Sequence, residues 1–199
     1  MSPCAKTSLR VMPRYRPLKQ GNWRRPASLL IMHYTASQSA KGAISWLCNP
    51  NAKASAHLVI DLDGTVTQLA PFNRVAWHAG KSAWKRRSNC NSFSIGIELT
   101  NAGPLTKLAN GKFADVNGRI AAPSQVAMLA HKLDKGVERP WMTYPAVQIS
   151  TAVDVAKALC HVYGIAEIAG HDDVAPTRKR DPGPAFAMDS FVSRVLGRK

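Results

Sequence analysis

The sequence predicts a single α/β domain built on a central mixed β-sheet flanked by helices. Three observations predict it. Short apolar runs ending in polar residues recur along the chain, and helix-length segments bounded by capping or breaking residues lie between them. One hairpin signature, Asp63-Gly64, requires an antiparallel pair inside this alternating series. A length of 199 residues fits one such domain with a real hydrophobic core.

Residues 1–26 carry Lys6, Arg10, Arg14, Arg16, Lys19, Arg24 and Arg25, interrupted by Pro3, Pro13, Pro17 and Pro26. Spaced prolines prevent a continuous helix, so this segment reads as an extended basic arm, with the folded domain over residues 27–199. The run Leu29-Leu30-Ile31-Met32 suits a buried strand. Residues 39–48 form a helix stopped by Asn49-Pro50. Two strands, residues 56–61 and 66–69, flank Asp63-Gly64. Residues 93–100 alternate, with Phe93, Ile95, Ile97 and Leu99 on one face and Ser94, Gly96, Glu98 and Thr100 on the other. Turns at Asn110-Gly111 and Asn117-Gly118 lead to two expected helices, residues 124–137 and 148–163, the second capped by Gly164. A short strand at residues 167–169 enters a long loop, residues 170–183, and Pro184 opens a closing helix.

Twenty-seven Lys and Arg against twelve Asp and Glu give a net charge of +15. Such a field concentrates anionic partners, including an acidic cell wall or a membrane surface. Nucleic acid is not expected, because no helix-turn-helix, zinc-finger or RNA-binding signature accompanies the charge. Cys4, Cys48, Cys90 and Cys160 are scattered without a Cys-x-x-Cys pair, which points to free thiols rather than a disulfide framework. No apolar run approaches the roughly 20 residues that span a bilayer, and no signal peptide is legible. The expectation is a monomer synthesised in the cytoplasm.

Three segments carry chemistry: Met32-His33-Tyr34-Thr35, Ile95-Gly96-Ile97-Glu98, and residues 170–183 with His171, Lys179 and Asp181. Each sets a metal-capable or acid–base side chain at a strand end or in the loop beyond it, where α/β sheets place ligand sites. Two imidazoles and one carboxylate make a three-ligand zinc site with an open fourth position, and His33, His171 and Asp181 supply that set. Each of them alone has a structural explanation. A rival set, an iron site using His171 and Asp173, wants another histidine downstream, and none follows His171.

The string from Gly170-His171-Asp172-Asp173 through Lys179-Arg180-Asp181-Pro182-Gly183 resembles the hallmark of type 2 N-acetylmuramoyl-L-alanine amidases. Their relatives include phage amidase-type lysozymes, cytosolic anhydromuropeptide amidases and animal peptidoglycan-recognition proteins. Further segments agree in order: His33-Tyr34-Thr35, Ser55-Ala56-His57-Leu58-Val59-Ile60, Trp77-His78-Ala79-Gly80, and Asn91 through Glu98-Leu99. The resemblance covers about residues 28–190 and implies the peptidoglycan-recognition-protein-like fold. It also implies Zn2+ on His33, His171 and Asp181, Glu98 as the catalytic acid–base group, and Lys179 as the cation that stabilises the oxyanion. His57, Trp77, His78 and Asn91 are expected to bind substrate. His131 and His161 are expected within helices as structural residues, and Trp141 and Tyr144 either edge the groove or pack.

The expected activity is hydrolysis of the bond between N-acetylmuramoyl and L-alanine in peptidoglycan. The high positive charge favours a bacteriolytic phage or prophage endolysin that reaches the wall after release. The alternative is a cytosolic recycling amidase acting on soluble 1,6-anhydromuropeptides. Outside this chemistry stand a non-catalytic peptidoglycan-binding protein, opposed by the complete ligand set, and a membrane-active basic protein.

Overall fold

The computed structural model describes residues 10–11 and 27–197. Its elements in chain order are β1 (Arg10–Val11), β2 (Leu29–Tyr34), α1 (Ala40–Leu47), β3 (Leu58–Ile60), β4 (Val66–Gln68), β5 (Ala83–Trp84), β6 (Arg87–Ser88), β7 (Ser94–Leu99), β8 (Thr106–Lys107), β9 (Phe113–Ala114), β10 (Val126–Ala130), β11 (Glu138–Met142), α2 (Ala146–Tyr163), β12 (Ile168–Gly170), α3 (His171–Val174) and α4 (Met188–Leu196). Apart from β1, the expected basic arm lies outside the described residues. Among them, no helix is long and apolar enough to cross a membrane.

Six strands form one mixed sheet in the order β1-β4-β3-β7-β2-β12. Only the β3–β4 hairpin around Asp63-Gly64 is antiparallel; the other neighbours run parallel. The three adjacent strands β7, β2 and β12 therefore end on the same edge. Their register pairs His33 with Glu98 and Met32 with Gly170, the residue before His171. Parallel pairing alone thus brings three distant parts of the chain to one place.

Both faces of the sheet are covered, as a parallel sheet requires. Leu30, Met32, Ile95, Ile97 and Leu99 pack against Ala152, Val153, Ala156 and Leu159 of α2 and Phe191 and Val195 of α4. Leu29 and Ile31 face the opposite way, onto Ala79, Cys90, Phe93 and Val174. Phe93 was expected beside Ile95, but the strand begins only at Ser94 and Phe93 packs on the other face. Gln148, fully buried on α2, donates to the carbonyls of Ile60 and Thr100 and pins that helix to the strand ends.

The helix expected over residues 124–137 is absent. Its apolar stretch forms β10, antiparallel to β11, with Val126 opposite Met142 and Ala130 opposite Glu138. Trp141 decides this pairing. Its ring is fully buried, its indole N–H donates to the Leu129 carbonyl at 3.2 Å, and it stacks on His131 with centroids 5.8 Å apart. A helix through Leu129 would have used that carbonyl internally. The closing helix begins at Met188, four residues beyond Pro184, because the turn from Gly183 to Phe186 comes first. Cys48, Cys90 and Cys160 are free thiols.

Candidate metal centre

His33 lies near the end of β2, 1% exposed, and His171 opens α3, 2% exposed. Asp181 follows ten residues later. The Asp172 N–H donates to the Asp181 carbonyl at 2.8 Å, folding the loop back so that Asp181 faces both imidazoles. The Nδ1 atoms of His33 and His171 are 2.9 Å apart, and Asp181 Oδ2 lies 3.0 Å from the first and 2.9 Å from the second.

Hydrogen bonds on the far side of each ring set its tautomer. The Nε2–H of His171 donates to the Ala79 carbonyl at 3.1 Å, leaving a lone pair on Nδ1. For His33 the logic runs through His78. His78 Nε2 faces the Ser94 carbonyl at 3.4 Å and Ser94 Oγ at 3.3 Å. The Ser94 hydroxyl donates to the Cys90 carbonyl at 2.7 Å, so His78 Nε2 carries the proton. His78 Nδ1 then accepts from His33 Nε2 at 3.0 Å, and His33 Nδ1 is also left with a lone pair. Two nitrogen lone pairs and a carboxylate oxygen converge, an arrangement that calls for a cation between them.

The donor set fits zinc. Ligands on a tetrahedral zinc lie roughly 3.3 Å apart for bonds of about 2.0–2.1 Å, close to the edges of this triangle. Burial, with the nearby His171, lowers the His33 pKa to about 4, so its imidazole is neutral and able to ligate at neutral pH. Burial pushes Asp181 upward, but the adjacent His171 and His33 imidazoles outweigh it and hold the carboxyl well below the usual range. Asp173, the member of the rival iron set, accepts the Gly170 N–H and pairs with Lys132 instead.

Glu98 sits across the strand pair from His33, 9% exposed, and its Oε2 has no hydrogen-bond partner. Burial and the Asp181 charge raise its pKa well above the ordinary value, against the pull of Lys179. Lys179 lines the same groove, about 460 Å³, together with Arg178 and Arg180. This places a proton-accepting carboxylate, a cation and a metal-capable triad around one cavity.

The four residues expected at the substrate divide. Trp77, 38% exposed, faces the groove. His78 touches the groove but spends its ring on His33 and Ser94, and the room expected beside Ser94 and Gly96 is filled by that ring. A Cβ at Gly96 would come within 2.4 Å of it. Asn91 holds the loop before it, accepting from the N–H groups of His78 and Ala79. His57 is fully buried between the Arg74 carbonyl at 2.9 Å and the Gly96 N–H at 3.0 Å. His131 is buried against Asp172 in the hairpin turn rather than a helix, and His161 is exposed on α2. Trp141 packs, while the Tyr144 hydroxyl donates to the Pro182 carbonyl at 2.7 Å. Sequence reasoning missed Trp46. On α1 it is 59% exposed and lines the groove with Trp77. As the one aromatic residue in the Ala40–Leu47 run of α1, it was the available signal.

His57 makes a measurable prediction. Burial lowers its pKa to about 4, against the hydrogen bond to Arg74 that raises it. The unfolded chain therefore takes up a proton as pH falls through about 6.5, while the native chain resists until about 4. Stability is lost as pH falls across that window, by about 3 kcal/mol from this residue. Urea unfolding of the parent and of His57→Gln, from pH 7 to pH 4.5, should show a shallower decline in the variant. Parallel curves would refute the assignment.

Comparison with known proteins adds to this geometry. The family model described as N-acetylmuramoyl-L-alanine amidase matches residues 23–184. The 1,6-anhydro-N-acetylmuramyl-L-alanine amidase AmpD of Escherichia coli is 36% identical over 144 residues, 72% of this chain and 58% of that protein. The chain thus spans less than two thirds of that relative's length. The Escherichia coli amidase AmiD was solved with the substrate anhydro-N-acetylmuramic acid-L-Ala-D-γ-Glu-L-Lys. It superposes with a TM-score of 0.65 at 28% identity, covering 92% of this chain and 62% of that one. A selenomethionine crystal structure of AmpD gives a TM-score of 0.60 at 26% identity, covering 96% of both chains.

Proposed function

The chain belongs to the N-acetylmuramoyl-L-alanine amidase family, and on that premise we propose that it hydrolyses the amide between an N-acetylmuramoyl group and L-alanine in soluble 1,6-anhydromuropeptides. The observation that carries this reading is the convergence of His33, His171 and Asp181 within 3.0 Å beside the buried carboxylate of Glu98. A zinc ion held by those three residues would supply Lewis acidity toward water and the scissile carbonyl. Glu98 takes the proton from the attacking water and returns it to the departing alanine nitrogen. Its burial suits that role, because a desolvated carboxylate is the stronger base. Lys179 donates to the oxyanion that develops on the carbonyl. Trp46 and Trp77 offer apolar faces to the sugar and lactyl groups, and the +15 charge attracts the carboxylates of the stem peptide.

The comparisons favour the recycling alternative over the endolysin role expected from the high positive charge and the missing signal peptide. The AmpD relative of Escherichia coli, 36% identical, is named for a 1,6-anhydro-N-acetylmuramyl substrate, and the AmiD structure, 28% identical, was solved with an anhydro-N-acetylmuramic acid peptide. Mass spectrometry after incubation with anhydro-N-acetylmuramoyl tetrapeptide, and separately with intact sacculi, tests this. Free tetrapeptide and anhydromuramic sugar should form faster than any peptide released from sacculi. Faster cleavage of sacculi would restore the endolysin reading, and no cleavage of either would end the amidase proposal.

A further inference from the structure

We infer that Asn91 is a positioning residue that orients both candidate metal-binding imidazoles while touching neither. Its side-chain oxygen accepts two consecutive backbone N–H groups, His78 at 3.1 Å and Ala79 at 2.7 Å. Those two residues then act in different directions. The His78 ring accepts from Nε2 of His33, and the Ala79 carbonyl accepts from Nε2 of His171. One oxygen therefore fixes the tautomer of both histidines at once.

Neighbours brace the loop on either side, Ser55 through two hydrogen bonds with Trp77 and Arg178 through the Ala79 and Lys81 carbonyls, while Asn91 takes up the His78 and Ala79 N–H groups themselves. The His78 ring is wedged over Gly96, where even a methyl group would collide with it. The Ala79 carbonyl is also the acceptor for the Arg178 guanidinium at 2.7 Å, so its direction sets the loop that carries Lys179. Asn91 itself sits in the 3-10 turn, Cys90–Ser92, that feeds directly into β7 with Ser94, Gly96 and Glu98. Without an acceptor at this point, two N–H groups lose their partner and the loop shifts to satisfy them. Both imidazoles would then tilt away from the orientation in which their lone pairs converge. This is a different role from the substrate contact that the family resemblance suggested for Asn91.

The inference rests on the reading that His33, His171 and Asp181 hold zinc, and the test separates the two. Zinc affinity of the full chain is measured by competition with a chromophoric chelator, well below the melting temperature of each metal-free protein. Asn91→Leu, matched in size but without an acceptor, should bind zinc about 10–100-fold more weakly. Asn91→Asp, which keeps the acceptor oxygen, should bind close to the parent, a rescue that a merely space-filling role would not produce. If the Leu variant does not fold, Asn91→Ala is judged by the same loss. Equal affinity in the Leu or Ala variant, or an Asp variant as weak as either, overturns the inference. A parent chain that binds no zinc overturns the metal reading and this inference with it.

Discussion

Glu98→Gln should lower the rate of muropeptide hydrolysis by about 10²–10⁴-fold, the usual span for loss of a general acid–base group. Zinc stoichiometry should be unchanged, because Glu98 is outside the triangle formed by His33, His171 and Asp181. Stability of the metal-free chain should rise. A carboxylate buried with one oxygen lacking any hydrogen-bond partner is costly to ionise, and its raised pKa expresses that cost. The sign follows from proton uptake. With its native pKa raised, Glu98 holds a proton that the unfolded chain has already released, so its burial destabilises the fold as pH climbs above the carboxylate range. The variant's advantage in melting temperature should therefore be larger at pH 8 than at pH 5. Such a pairing of lost rate with gained stability marks a site held in a strained electrostatic state for chemistry. A Gln variant that hydrolyses muropeptide at the parental rate would remove Glu98 from the reaction.

The parts of this arrangement that were legible beforehand share one physical property. Strands β2 and β7 could be located because their apolar runs are short and bounded. Strand ends in an α/β sheet are where side chains meet, so His33 and Glu98 could be associated before their register was known. Asp181 could be offered from donor chemistry as the carboxylate that completes two imidazoles, but a carboxylate before a proline in a loop has no periodicity to single it out, and the resemblance strengthened that choice. The hairpin formed by β10 and β11 was not legible. Val126–Ala130 satisfies a helical pattern as well as a strand pattern, and the deciding contact is Trp141 against the Leu129 carbonyl. His57, His78 and Asn91 stand in strings that carry the family resemblance, yet their jobs depend on which nitrogen or oxygen faces which backbone group. That information belongs to the tertiary fold. Trp46 was missed for a similar reason: its exposure depends on how α1 rests on Val59 and Leu69, not on its neighbours in sequence.

Asp181→Asn should abolish hydrolysis and zinc retention together, the largest effect expected of any single substitution here. The carboxylate is the only anionic member of the triad, and its Oδ2 lies within 3.0 Å of both imidazole nitrogens. An amide can place either an oxygen or an NH2 group there, but it brings no charge to offset a divalent ion. Two neutral imidazoles alone make a weak site. Because a ligand that binds only the folded state stabilises it by mass action, zinc at a hundredfold excess over its dissociation constant should add about 2.7 kcal/mol to the parent. The melting temperature of the parent should rise accordingly on adding zinc and fall back with a chelator, while that of the Asn variant stays flat. The metal-free variant should not be much less stable than the metal-free parent. Removing the Asp181 carboxylate gives up its attraction to the two imidazoles, but it also removes a buried charge. Elemental analysis of both proteins after dialysis checks the binding directly. An Asn variant that keeps one zinc per chain and the same thermal shift would mean that the ion, if it is used, is held elsewhere.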